Sequence, residues 1–125
     1  MDILIVDDSR SVHSFYKSIL NQFAGVTYNS AFDGSEAVEI LVDKKEEYKI
    51  IFLDWEMPNK DGPTTLKELR EKNISTPIVM VTTKNNMNDI KFSFECGAND
   101  YIMKPFTKEI LQQKLIDFSI LGNES

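Results

Sequence analysis

Five short apolar segments alternate along this chain with five longer amphipathic ones, and this alternation is the feature that most constrains its fold. Most of the short segments are near-continuous apolar runs, which are typical of parallel strands covered on both faces. The repeat predicts an α/β protein with a doubly wound five-stranded parallel sheet, right-handed crossovers and five helices on its two faces. The predicted strands are 3–6, 26–30, 50–53, 78–81 and 100–103. The predicted helices are 9–23, 35–47, 64–72, 87–96 and 108–120.

Size and charge limit the classes of function open to the chain. Its 125 residues suit one domain with a buried core, so residues 1–125 are expected to form a single domain. A net charge of −6 argues against nonspecific nucleic-acid binding, which needs a basic surface. No run approaches the roughly 20 apolar residues of a membrane span, and the first residues lack the basic start of a secretory signal. We therefore expect a cytoplasmic protein with no membrane insertion. The single cysteine, Cys96, excludes an internal disulfide and is expected to be a small buried apolar side chain.

Polar and charged side chains follow four of the predicted strands. Asp7 and Asp8 follow the first strand, Asp54 the third, Thr82 the fourth and Lys104 the fifth. In open parallel sheets, ligands bind at the carboxyl ends of the strands, near the point where strand order reverses. A solvated loop residue is the ordinary interpretation of any one aspartate, but five such groups at one edge predict a functional site.

The chemistry of this predicted site suits magnesium-assisted phosphoryl transfer. Three carboxylates within a few ångströms repel one another unless a cation joins them, and Mg²⁺ typically leaves coordination positions open for water and phosphate oxygens. Asp54 could attack phosphorus as a carboxylate nucleophile, while Lys104 and Thr82 stabilise the equatorial oxygens. No signature for nucleoside triphosphate or dinucleotide binding is present. The lone histidine, His13, has no catalytic partner in the sequence and is expected at the surface or boundary of the first helix.

Four motifs occur together in an order that resembles one known family. They are Asp7-Asp8, the run Asp-Trp-Glu-Met-Pro-Asn-Lys-Asp-Gly over 54–62, Val81-Thr82 and Lys104-Pro105-Phe106. Each is weak alone, but together they resemble the receiver domain of two-component response regulators over essentially the whole chain, most closely its single-domain chemotaxis members. The resemblance implies a flavodoxin-like sheet with strand order 2-1-3-4-5.

The resemblance also implies a phosphoacceptor and a metal site. Asp54 would accept a phosphoryl group from the phosphohistidine of a sensor histidine kinase. The protein would be a switch with intrinsic autophosphorylation and autodephosphorylation activity, rather than an enzyme acting on a separate substrate. Mg²⁺, or alternatively Mn²⁺, would be bound by Asp7, Asp8, Asp54 and the backbone carbonyl of Glu56.

Further residues are assigned to the switch by the same resemblance. Lys104 would pair with Asp54 and its phosphoryl group, and Thr82 would move to hydrogen-bond the phosphate. Tyr101 would swing inward behind Thr82. A cis peptide bond is expected between Lys104 and Pro105.

Two charged residues are expected to tune the lifetime of the phosphoryl group. Glu56 lies two residues after the phosphoacceptor and Lys84 two residues after Thr82, and in the family these positions vary and affect that lifetime. Their side chains are long enough to meet, so we expect an ion pair that partly covers the phosphoryl group. Two separate solvated charges are the alternative.

A surface for partner proteins is predicted on the helix 87–96 and its neighbours. At 100° per residue Met87, Ile90 and Phe94 form one stripe while Phe92 and Cys96 lie nearly opposite, so the helix carries more apolar surface than one core contact uses. In the family, the fourth helix, fifth strand and fifth helix form the output surface. Here that surface would include Met87, Ile90, Phe94, Tyr101, Met103 and Lys114.

The favoured function is a stand-alone, monomeric response regulator whose output is protein binding, since the chain ends soon after the fifth predicted helix. The leading version is chemotaxis, in which the phosphorylated form binds a flagellar motor switch protein. One alternative is a phosphorelay intermediate that passes its phosphate to a histidine phosphotransfer domain, and another, from a different class, is a small acidic-site phosphatase. A flavin-binding protein is disfavoured because no phosphate-binding loop follows the first strand. Residues 122–125 are expected to be frayed.

Overall fold

The computed structural model describes residues 1–122, which form a five-stranded parallel sheet with helices on both faces. The strand order is β2-β1-β3-β4-β5 and every neighbouring pair is parallel, which confirms the predicted doubly wound α/β fold. The strands are β1 (Ile3–Val6), β2 (Tyr28–Ala31), β3 (Ile50–Asp54), β4 (Ile78–Thr82) and β5 (Asp100–Met103). The helices are α1 (Arg10–Leu20), α2 (Gly34–Val38), α3 (Gly62–Glu71), α4 (Met87–Cys96) and α5 (Lys108–Asp117). Across residues 1–122, none of the helices has the length and apolar character needed to cross a bilayer.

The element boundaries agree with the sequence prediction except at a few ends. The bounds of β1, α4 and β5 are those predicted, whereas α1 and α5 each end three residues earlier than expected. The second helix differs most, because α2 widens after Val38 into a π-helical segment, Glu39–Asp43, instead of continuing as one helix over 35–47. Most of the predicted frayed end, residues 123–125, lies outside the described part of the chain.

Each α-helix begins with a side chain that caps its first turn. The capping residues accept a hydrogen bond from the backbone N–H three positions later, which satisfies one of the free donors at a helix start. They are Ser9, Asp33, Asp61, Asn86 and Thr107, the last of which was predicted as a cap. Because every helix follows a strand, these caps order the loops at the carboxyl edge of the sheet.

The core lies in two layers, one on each face of the sheet. Alternate residues of a strand point to opposite faces, so Leu4 and Leu53 pack under α2 and α3 while Ile5 and Phe52 pack under α1 and α5. All residues of β1 and β3 are buried. These two inner strands are therefore firmly held, and their carboxyl ends provide fixed positions for the residues that follow them.

Candidate functional site

Asp7 is held firmly where β1 ends. It is 2% exposed, and its N–H donates to the carbonyl of Ala31 in the neighbouring strand at 3.1 Å. One carboxylate oxygen, Oδ1, accepts the N–H of Ser9 at 2.8 Å. Its backbone carbonyl lies 2.7 Å from Nε2 of His13. The adjacent Asp8 is exposed, so the predicted pair consists of one buried and one accessible carboxylate.

Asp54 is the last residue of β3 and is 5% exposed. The backbone just beyond it approaches the start of α3, where the N–H of Gly62 donates to the carbonyl of Trp55 at 2.7 Å. A Cβ atom on residue 62 would lie 2.5 Å from the carbonyl oxygen of Asp54, a distance that real Cβ atoms do not adopt. Glycine is therefore required here by close backbone approach, which gives a structural reason for the glycine that ends the motif over 54–62.

Lys104 joins the two buried carboxylates. Its Nζ donates to Oδ1 of Asp54 at 2.9 Å and to Oδ2 of Asp7 at 3.0 Å, and its side chain is 21% exposed. The N–H of Lys104 donates to the carbonyl of Thr82 at 2.7 Å, and its peptide bond to Pro105 is cis, as expected. The ammonium group of Lys104 therefore turns inward toward the two aspartates.

The electrostatics of this cluster favour an additional cation. Burial raises the pKa of Asp54 to about 6, and the charges of Asp7 and Asp8 add to the effect while Lys104 opposes it. Burial alone would lower the pKa of Lys104, but its contacts with Asp54 and Asp7 outweigh that effect and raise it. One carboxylate oxygen from each of the three aspartates lies within 4.8 Å of the others. Within residues 1–122, three carboxylates therefore converge where one ammonium group contacts two of them, and this oxygen-only donor set suits a hard divalent cation.

The neighbourhood of Thr82 differs from the prediction. The Thr82 hydroxyl accepts the N–H of Lys84 at 3.0 Å, and both Thr82 and Thr83 donate to Oε1 of Glu56, at 3.4 and 3.3 Å. The Lys84 ammonium lies 5.5 Å from the centre of the Trp55 ring. Within residues 1–122, no salt bridge joins Glu56 to Lys84, so the predicted ion pair is wrong. The carboxylate is engaged by hydroxyl groups and the ammonium by an aromatic face, an attraction of ~0.5–1 kcal/mol at exposed sites.

Tyr101 contacts the same loop from β5. Its side chain is half-buried and its hydroxyl donates to the backbone carbonyl of Lys84. The peptide groups of Lys84 thus contact both predicted switch residues, Thr82 through the N–H and Tyr101 through the carbonyl.

Three of the six residues predicted for the partner surface are exposed and three are half-buried, while the core contact of α4 comes from other residues. Met87 is 76% exposed, Phe94 and Met103 are also exposed, and Ile90 is half-buried. Lys114 pairs with Asp100 at 2.6 Å. The buried side chains of α4 are Ser93 and Cys96, so Cys96 is the small buried residue expected from its spacing.

Two features of the site escaped the sequence analysis. His13 is buried against the ring of Phe32, with 4.3 Å between ring centroids, so its predicted surface or boundary position is wrong. Its spacing from Tyr16 and Leu20, three and seven residues on, places it on the core-facing stripe of α1 and would have predicted burial. The second feature is an apolar groove of about 400 Å³ beside Lys104. It is lined by Ser11, Val12, Phe15, Thr83, Lys104, Pro105 and Phe106.

Comparison with known proteins identifies the family. The family model described as the response regulator receiver domain matches residues 3–116. A Chemotaxis protein CheY homolog of Campylobacter jejuni is 35% identical over 127 aligned positions, covering 100% of this chain and 95% of that protein. Chemotaxis protein CheY1 of Helicobacter pylori is 34% identical, covering 92% of this chain and 94% of that protein.

Solved structures agree with this assignment. A two-component response regulator from Clostridium difficile superposes with a TM-score of 0.86 at 28% identity, covering 99% of both chains. Vibrio cholerae chemotaxis protein CheY4 gives 0.82 at 29% identity, covering 94% of this chain and 97% of that one. Together with the carboxylate cluster and its lysine, these matches show that the chain belongs to the response regulator receiver-domain family.

Proposed function

We propose that this protein is a phosphorylation-controlled response regulator in which Asp54 accepts a phosphoryl group from a sensor histidine kinase. The observation that carries the proposal is the position of Lys104, whose ammonium contacts both Asp54 and Asp7 inside a cluster of three carboxylates. A purely structural ion pair would need one carboxylate for one ammonium. The surplus of negative charge at a strand edge suits a site that binds a cation and a phosphoryl group.

In the proposed reaction, a carboxylate oxygen of Asp54 attacks the phosphorus of the phosphohistidine. The new O–P bond forms as the P–N bond breaks, the electron pair of that bond returns to the imidazole nitrogen, and an acyl phosphate remains on Asp54. With its pKa raised to about 6, Asp54 is mainly ionised at neutral pH and is a more basic oxygen nucleophile than an ordinary aspartate. Lys104, already beside Asp54, would neutralise charge on the phosphoryl oxygens.

We assign the metal site to Asp7, Asp8, Asp54 and the backbone carbonyl of Glu56. Mg²⁺, or Mn²⁺, would supply positive charge to the phosphoryl oxygens during transfer. Both oxygens of Asp7 already have protein partners, Ser9 N–H and Lys104 Nζ, which leaves one lone pair on each for a direct or water-mediated contact. Asp8 is exposed and its carboxylate accepts no hydrogen bond from the described residues, so it is the most accessible carboxylate ligand.

The proposed switch passes from Asp54 to the output surface through the loop after β4. Thr82 would exchange its contacts with Glu56 and Lys84 for a hydrogen bond to the phosphoryl group. Because the backbone carbonyl of Lys84 also accepts a hydrogen bond from the Tyr101 hydroxyl, movement of this loop would change the position of the Tyr101 side chain on β5. The output surface would be formed by Met87, Ile90, Phe94, Tyr101, Met103 and Lys114.

We assign the output to chemotaxis, with a flagellar motor switch component as the partner of the phosphorylated form. The support is the likeness over nearly their whole lengths to proteins named for chemotaxis in Campylobacter jejuni and Helicobacter pylori. A phosphorelay role is the second candidate. The apolar groove beside Lys104 favours it, because Phe15 and Pro105 could receive a helix of a histidine phosphotransfer domain next to the phosphoacceptor.

Phosphorylation by acetyl phosphate tests the central proposal. Wild type incubated with acetyl phosphate and Mg²⁺ should gain one phosphate, located on Asp54 by mass spectrometry, and chelation of the metal should abolish the reaction. Asp54→Asn should gain none, while Asp43→Asn, at an exposed aspartate away from the site, should react like wild type. Stoichiometric phosphate on another residue of Asp54→Asn would contradict the assignment. Sustained turnover of small phosphoesters by wild type would favour the acidic-site phosphatase instead.

A further inference from the structure

We propose that His13 is a positioning residue for the cation-binding carboxylates. Its ring holds the backbone carbonyl of Asp7 and thereby fixes the β1–α1 loop that carries Asp7 and Asp8. The inference rests on the proposed function, because it assigns a role within the same site.

The geometry defines which nitrogen of the ring acts. His13 is 3% exposed, and its Nε2 lies 2.7 Å from the carbonyl oxygen of Asp7. A carbonyl oxygen can only accept a hydrogen bond, so Nε2 carries the hydrogen and donates it. A side chain near the start of α1 therefore makes a hydrogen bond to the backbone at the end of β1.

The carbonyl of Asp7 has no partner in the strand ladder. The paired residues of β1 end at Val6, which faces Ala31 in β2 and Leu53 in β3. The N–H of Asp7 still donates to the carbonyl of Ala31 in β2, but the carbonyl of Asp7 lies past the last paired residue of β1. Leaving a buried backbone acceptor without a partner costs ~1–3 kcal/mol, so the imidazole satisfies a group that the sheet cannot.

With this bond in place, every polar atom of Asp7 has a partner. The N–H pairs with Ala31, Oδ1 with Ser9, Oδ2 with Lys104 and the carbonyl with His13. The peptide groups on both sides of Asp8 are consequently anchored, although its own side chain is exposed. The orientation of the Asp8 side chain thus depends on the conformation of the β1–α1 loop, which the hydrogen bond from His13 to the Asp7 carbonyl stabilises.

Packing alone does not account for a histidine at this position. The ring lies against Phe32, and the guanidinium carbon of Arg10 lies 5.3 Å from the centre of that phenyl ring. Nδ1 of His13 is buried without a hydrogen-bond partner among the described residues. An apolar side chain would fill the same space without burying an unpaired nitrogen, so the contribution of the imidazole is the Nε2–H bond to Asp7.

Three substitutions of His13 distinguish the effect of losing the hydrogen-bond donor from the effect of losing the bulk of the ring. His13→Leu removes the donor and keeps apolar bulk. His13→Gln places an amide N–H at the same number of bonds from the backbone as Nε2, whereas His13→Asn keeps an amide that is too short to reach the carbonyl. Ser14→Ala, at an exposed neighbouring position, is the matched control. The Mg²⁺ affinity of each purified protein is measured by titration of Trp55 fluorescence, and its stability by urea denaturation.

We expect His13→Leu and His13→Asn to raise the Mg²⁺ dissociation constant about tenfold, the usual effect of losing a group that orients a metal ligand. His13→Gln should recover most of the affinity, and Ser14→Ala should match wild type. In wild type, two-bond ¹H–¹⁵N correlations should show the hydrogen on Nε2 and a change in the His13 signals on Mg²⁺ addition. The positioning role would be overturned if His13→Asn bound Mg²⁺ as tightly as wild type, or if His13→Gln and His13→Asn lost the same amount of Mg²⁺ affinity. Absence of Mg²⁺ binding in wild type would instead overturn the proposed function.

Discussion

Neutralising Asp54, the proposed phosphoacceptor, should stabilise this protein. Asp54 is 5% exposed and lies beside two further carboxylates, so its negative charge is unfavourable in the folded state even with Lys104 at 2.9 Å. Asp54→Asn keeps the shape of the side chain and removes that charge. With metal removed by EDTA at pH 7.5, we expect the variant to unfold at a higher urea concentration than wild type.

The size of the effect follows from the raised pKa. The folded-state pKa of about 6, against an ordinary value of 3.8, corresponds to roughly 3 kcal/mol at about 1.36 kcal/mol per pH unit. Because folding raises this pKa, the protonated acid is the form that folding favours. Its contribution is fully present below pH 3.8 and is lost as pH rises through about 6. The neutral amide does not titrate, so at pH 7.5 it should retain about 1–3 kcal/mol that wild type has lost.

The assay is urea denaturation of both proteins in EDTA at intervals between pH 4 and 8. The free energy of unfolding of Asp54→Asn minus that of wild type should grow from pH 4 to pH 7 and then stay constant. Asp43→Asn, at an exposed position, should show a difference near zero throughout. Millimolar Mg²⁺ should stabilise wild type more than Asp54→Asn and narrow the gap, since a ligand that binds only the folded state stabilises it. A difference that does not vary with pH, or an amide variant less stable than wild type, would refute the reasoning.

Three further predictions follow from the contacts of the same site. Lys104→Ala should lower the free energy of unfolding in EDTA by about 1–3 kcal/mol and tighten Mg²⁺ binding, because Asp7 and Asp54 lose the cation that they share. Urea denaturation measures the first effect and fluorescence titration the second. If both values equal those of wild type, the prediction is contradicted. Gly62→Ala should cost about 1–3 kcal/mol in urea denaturation, since its methyl group would press on the backbone at Asp54, and an unchanged midpoint would contradict that close contact. Glu56→Ala and Lys84→Ala should change the lifetime of the aspartyl phosphate independently, because the two side chains have separate partners. The lifetime is measured as the loss of phosphate from each protein over time. A double variant whose lifetime changes no more than that of either single variant would show instead that the two residues act as a pair.

The local sequence predicted most of the framework and the members of the site. The apolar runs defined β1, β3 and β4 to within one residue, because strands buried on both faces must be apolar whatever their neighbours are. The partly buried edge strands β2 and β5 were also predicted, but the bounds of β2 were shifted by one to two residues. The polar residues at the ends of those runs were placed at one edge by the rule that parallel strands end together. The continuous second helix was not predicted correctly, since the widened π-helical segment depends on how its residues pack under the sheet.

The misassigned side chains are those whose environment comes from other elements. Glu56 and Lys84 were expected to pair because both are long, charged and close to the phosphoacceptor. Their actual partners are two threonine hydroxyls and the Trp55 ring, whose positions depend on the loops after β3 and β4. His13 was expected at the surface or boundary, but it lies on the core-facing stripe of α1, where a backbone carbonyl just after β1 satisfies its Nε2–H.

The sequence by itself therefore determined the alternation of strands and helices, the core and the residues of the carboxylate cluster, because hydrophobic periodicity and strand-end position act over a few residues. The strand order was implied by the resemblance to receiver domains. Only the tertiary structure decided which hydrogen bonds the residues of that cluster make. Lys104 contacts Asp7 from 97 residues away, and His13 turns back from α1 to the same residue's carbonyl. Such contacts depend on distances and directions between separate elements, and these are set by packing against the sheet rather than by any local pattern of residues.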